Sequence, residues 1–119
     1  MTNLEIYTTA NKLFEAFHDS EQKFPVKMNF FLQKNKRTLL SLAQEIEEAR
    51  IAIAQTYGAD SGDGNFTIAA ENIAKAQEEL DQLFKIEQDV NIAKVNFDDL
   101  DPNMELTSAQ MEALMFMIE

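Results

Sequence analysis

The chain has no cysteine, no tryptophan, a single histidine, two prolines and three glycines. Each scarcity closes off a class of protein. Without cysteine there is no disulfide, no thiolate nucleophile and no cysteine-ligated zinc, and a reducing interior suits the chain. Few prolines and glycines in a chain that is 45% hydrophobic and 26% charged argue for a folded domain over a disordered one. No apolar run approaches the ~18 residues of a membrane span. Met1–Glu5 has neither the basic start nor the apolar core of a signal peptide, so no membrane contact and a cytoplasmic location are expected. No Gly-Lys-Ser/Thr phosphate loop and no Gly-x-Gly-x-x-Gly fingerprint occurs.

Basic residues are also scarce. Ten Lys and Arg stand against 21 Asp and Glu, a net charge of −11. Nucleic-acid affinity comes from cations that neutralise phosphates, so this balance disfavours nucleic acid as a partner. A basic protein partner is compatible with it. The charge is unevenly placed. Lys23, Lys27, Lys34, Lys36 and Arg37 are half of all the cations, and no acid lies between Phe24 and Gln44. From Glu87 to Glu119 eight acids stand against Lys94 alone. Such an asymmetry either closes on itself within the molecule or leaves the basic island for a partner.

What is present is helical periodicity. At 119 residues the whole chain, 1–119, reads as one domain. Ala10, Leu13, Phe14 and Phe17 recur at helical spacing, with Thr8 or Thr9 available as the N-cap. Leu4–Thr8 before them is either a short strand or the first turn of that helix. Pro25 suits the first turn of a second helix. Leu32, Asn35, Leu39, Leu42, Ile46, Ala49 and Ile53 then form a heptad seam with one polar member, and the helix runs to about Tyr57, where Gly58 ends it. About 32 residues make a rod of roughly 48 Å. Val26, Phe30, Phe31 and Leu32 are expected to feed the core, with lysine stems along the surface. Phe66–Ile68 suggests a short strand. Ala69, Ile73, Ala76, Leu80 and Leu83 form a matching seam on a third helix, so the two helices are expected to form an antiparallel hairpin. Asp89–Leu100 reads as a strand pairing with Leu4–Tyr7 or Phe66–Ile68. Thr107 or Ser108 caps a last helix from Ala109 to Ile118. The expected fold is α+β, mostly helical: a long antiparallel helical hairpin with flanking helices and a small β element.

Candidate chemistry is thin. His18 lies beside Asp19 and three residues after Glu15, but no serine or threonine stands in a nucleophile setting such as Gly-x-Ser-x-Gly, so no catalytic residue is assigned and no enzyme is expected. The Asp60–Asn65 loop resembles part of a calcium loop. With Gly64 at the required sixth position, however, Ala59 and Ala70 fall at the first and twelfth ligand positions. No metal ligand and no cofactor are therefore assigned, and divalent-metal binding through that loop stays an alternative. The acids Glu45, Glu47, Glu48, Glu71, Glu78, Glu79 and Asp81 fall off the apolar seams, as on a solvated face. Asn35 in the seam reads either as a buried polar residue that fixes register or oligomeric state, in which case Asn35→Leu raises thermal stability while loosening a unique pairing, or, with Lys34 and Lys36, as an exposed break before the packed part. Lys27, Lys34, Asn35 and Arg37 are the candidate partner-binding residues.

The stretch Phe24-Pro25-Val26-Lys27-Met28-Asn29-Phe30-Phe31-Leu32-Gln33-Lys34-Asn35, followed by a Glu-rich helix, a Gly/Asp loop and a Met-rich end, resembles a family of small uncharacterised proteins encoded by bacteriophages and prophages. The resemblance implies a bacterial host cell, carries over no functional residue and implies no activity. The expected function is a non-catalytic interaction or assembly protein acting through self-association or one protein partner. The alternative is an acidic inhibitor occupying a basic, nucleic-acid-binding site on a host protein.

Overall fold

The structure, a computed structural model, describes residues 1–18, 23–60, 66–101 and 104–119. Its described part is mostly helical, with α1 (Asn3–Phe17), α2 (Val26–Tyr57), α3 (Ala70–Lys85) and α4 (Ser108–Leu114), and one antiparallel ladder of β1 (Gly58–Asp60) with β2 (Phe66–Ile68). Two 3-10 turns, Phe97–Asp99 and Met115–Met117, complete the regular elements.

Helix α1 starts six or seven residues earlier than the Thr8 or Thr9 cap would place it. Thr2 is the N-cap: its hydroxyl accepts from the Glu5 amide while the Glu5 carboxylate accepts from the Thr2 amide. This reciprocal box satisfies two donors that a helix start otherwise leaves open. Leu4–Thr8 is therefore helix and not strand, and Ile6, Ala10 and Leu13 face the core.

Helix α2 spans the range that the seam and its two breakers predict. Pro25 stands just outside as the N-cap residue, and Gly58, in an extended conformation, opens β1. Leu32, Asn35, Leu39 and Ile46 are buried, whereas Leu42, Ala49 and Ile53 are half-covered. The reason lies in which partners reach each half. One core joins Ile6, Ala10 and Leu13 of α1 to Met28, Leu32, Leu39 and Ile46 of α2, closed by Val95, Leu100, Ala113, Leu114 and Met117. Beyond Ile46 and the Tyr7–Glu47 bond to α1, the far half of α2 packs against α3 and the ladder. Asn72 Nδ2 donates to the Tyr57 carbonyl at one end of α3, and Phe84 at the other end lies near Tyr7, which bonds Glu47. So α3 runs back along the C-terminal part of α2. There Ala76 alone of the α3 seam is buried, and Ile73 is exposed. The result is an extended molecule: its extents are 55 × 30 × 20 Å and its radius of gyration is 17.5 Å, against about 13.5 Å for a compact chain of this length.

Residues 89–100 are not a strand. β2 pairs with β1 instead, and the segment after α3 makes only single bridges, Thr2 with Glu87 and Val95 with Ile118. Its β-branched residues break alternation between Ile92 and Val95, so no one face can be kept over several residues. Two buried asparagines hold it in place of a ladder. Asn3 Nδ2 donates to the Leu83 carbonyl at 2.9 Å, and its Oδ1 accepts from Gln88 Nε2 at 2.7 Å. Asn35 Oδ1 accepts from the Ala93 amide, and Asn35 Nδ2 donates to the Ala93 carbonyl, both at 2.9 Å. An amide side chain offers the same donor and acceptor that a neighbouring strand would. Among the described residues no buried side-chain nitrogen or oxygen lacks a partner.

Candidate interaction surface

Four residues, Lys27, Lys34, Asn35 and Arg37, were expected to meet a partner, and the fold treats them differently. Asn35 is 1% exposed and both ends of its amide are committed to Ala93. It is withdrawn from any surface, because a heptad position facing the core cannot also face solvent. Lys27 lies 3.1 Å from the Asp99 carboxylate. The Asp99 carboxyl is held below its ordinary range, first by the Asn96 amide that donates to it and then by Lys27. Asp99 belongs to the acidic C-terminal segment, so that segment answers the basic island at Lys27. Lys34 and Arg37 are exposed, and their side chains have no ion-pair partner among the described residues.

These two cations share the solvent side of α2 with apolar residues. Val26 is 89% exposed, Phe30 59% and Leu40 48%. This corrects the placement of Val26 and Phe30 in the core; Phe31 and Leu32, on the inner side, are the pair that contributes there. Successive helical residues are about 100° apart, which sets Phe30 and Arg37 nearly opposite Leu32, Asn35 and Leu39. The same wheel, applied to the seam, identifies Phe30 and Leu40 as outward from the sequence alone. The Phe30 and Phe31 rings stand nearly perpendicular, with centroids 5.4 Å apart. Aromatic residues and arginine are the types enriched in protein interfaces, where lysine and acids are depleted. A helix face carrying Phe30, Arg37 and Leu40 can therefore bind another protein by burying apolar area around a cation.

Elsewhere chemical equipment is sparse. His18 ends α1 with its ring 5.1 Å from that of Phe14, in a tilted arrangement. Tyr7 donates to Glu47 at 2.8 Å while Arg50 donates to both oxygens of the same carboxylate. Arg50 is the main cause that lowers the Glu47 pKa, and the bond to Glu47 is the main cause that raises that of Tyr7. This triad ties α1 to α2. A recess of about 350 Å³ opens between Phe97, Leu100, Met104, Leu106 and Met111, with Asp98 and Asp101 on its rim. Residues 61–65 of the candidate metal loop lie outside the described residues. Among the described residues no group of three or more His, Asp or Glu could hold a metal ion, and no helix is long and apolar enough to cross a membrane. The chain matches no protein-family model, no curated protein and no solved structure.

Proposed function

We propose that this chain is a non-catalytic interaction or assembly protein, of phage or prophage origin in a bacterial cytoplasm, that binds a protein through the solvent face of α2. One observation carries the reading: Phe30 and Leu40 stand exposed beside Lys34 and Arg37 on the side of α2 away from its buried seam. Leaving such a mixed apolar and cationic stripe in water forgoes burial worth about 25 cal/mol per Å². Binding of an acidic inhibitor to a host site ranks second, because Lys75 and Lys85 interrupt the exposed carboxylates Glu71 and Glu78 along α3. The test is photocrosslinking in cells with a benzophenone side chain at position 30, against a control at the exposed Ala74 of α3. An adduct at 30 and none at 74 is expected. No adduct at position 30 sinks the reading.

A further inference from the structure

The solvent face of α2 has an internal symmetry that names its occupant. Phe30, Arg37, Ser41, Gln44, Glu48 and Gln55 are all exposed, and at about 100° per residue they lie within one stripe running most of the helix. Ser41 divides that stripe by charge. Lys34 and Arg37 stand seven and four residues before it, and Glu45 and Glu48 stand four and seven residues after it. None of the four side chains has an ion-pair partner among the described residues.

We propose that the face pairs with a second copy of this chain, the two α2 helices running antiparallel about a two-fold axis at Ser41. This deepens, and rests on, the reading of α2 as an interaction surface. A two-fold axis perpendicular to a helix sets each residue level with the one equally far on the other side of the axis. Lys34 then stands level with Glu48 of the second copy and Arg37 with its Glu45, and the reverse pairs repeat both. At ~1.5 Å per residue these levels are about 6 and 10 Å from the axis. Parallel pairing in register would set cation on cation and acid on acid, so charge selects direction as well as register. The apolar residues obey the same symmetry. Phe30 comes level with Ala52, large against small, and Leu40, on the flank of the stripe one residue before the axis, comes within two residues, about 3 Å along the helix, of its own counterpart. The ion pairs are solvent-edged and set the register; Phe30 and Leu40 supply the area. Each copy carries −11 overall, so the pairing brings the one basic stretch of each acidic molecule against acids of the other.

The test uses the full chain and two double variants. Lys34→Glu with Arg37→Glu makes the face wholly acidic, and Glu45→Lys with Glu48→Lys makes it wholly basic. All four positions are exposed, and circular dichroism verifies that each variant is folded. Light scattering and sedimentation are expected to find a dimer for the parent chain and about a tenfold or greater weakening for each variant alone, since like charges then oppose. An equimolar mixture is expected to restore a dimer containing one copy of each, because every level across the axis is then of opposite sign. A parent chain that stays monomeric at its highest soluble concentration overturns the proposal. So does a dimer that neither variant weakens, or a mixture that stays monomeric. An adduct of position 30 to a different protein, with a monomeric parent chain, removes self-pairing and keeps the interaction face; absence of any adduct removes both.

Discussion

Replacing Asn35 by leucine reverses sign between sequence and structure. In a heptad seam taken alone, a buried asparagine costs stability, and leucine should raise it. In the folded protein Asn35 supplies the donor and the acceptor for both backbone groups of Ala93, at 2.9 Å each. Leucine supplies neither. Each group left unpaired costs about 1–3 kcal/mol when buried. Ala93 is only half-buried, so the lower end applies twice, giving about 2 kcal/mol. Leucine adds apolar area worth up to about 1 kcal/mol, and forcing its branched end into a site shaped to a flat amide takes about as much back. The net loss is about 2 kcal/mol, or roughly 8 °C in Tm for a chain of this size. Urea unfolding followed by circular dichroism reads the global loss. Amide hydrogen exchange reads its cause: the Ala93 amide should lose protection beyond what the global loss explains, because its acceptor is gone. An Asn35→Leu protein as stable as the parent, or an Ala93 amide equally protected, refutes the reasoning.

Gly58→Ala should destabilise by about 1–3 kcal/mol, as overpacking does. A methyl there would lie 2.9 Å from the Thr67 carbonyl oxygen and 3.0 Å from that of Ala54. These are backbone atoms that cannot swing aside, so an unchanged Tm would count against the ladder. Tyr7→Phe should cost about 1 kcal/mol, the lower end for a bond to a partly exposed carboxylate. Its pH dependence has two edges. Glu47 is depressed, so the stability linked to its charge is present above its unfolded pKa and fades as pH falls through the folded value, below about pH 4. Tyr7 is raised, so the stability linked to its neutral form is present below its unfolded pKa and is lost as pH rises through the folded value, above about pH 10. The difference between Tyr7→Phe and the parent in denaturant midpoint should be flat between those edges and shrink beyond both. A difference that stays constant as pH falls until the Glu47 carboxylate is protonated would show that Glu47 is not the partner that matters.

Several signals for these features were local and were readable at different depths. Thr2 and Glu5 are a three-residue-spaced capping box in the first five residues, a stronger start than the threonines at 8 and 9. Thr107 with Gln110 forms the same box before α4. The candidate surface was half legible: Lys34 and Arg37 appear in the basic island, whereas hydrophobicity alone places Phe30 inside and gives Leu40 no outward role. Aromatic character says that a residue gains from burial; the helical angle says whether it can reach the core.

By itself, the sequence determined the α2 rod, its limits at Pro25 and Gly58, and the capped start of α4. All of these follow from interactions within about one helical turn or from a repeat that persists along the chain. Only the tertiary structure decided that Asn35 anchors residue 93 and that Asp99 answers Lys27. It likewise decided that the core gathers on the N-terminal half of α2 while α3 covers the other half thinly. The two anchoring pairs join residues 58 and 72 positions apart, and nothing in the helical period selects which distant segment will fill a given length of seam. The outward stripe of α2 is what remains when those choices are made: its charge order is written in the sequence, but its exposure is set by where α1, α3 and α4 come to rest.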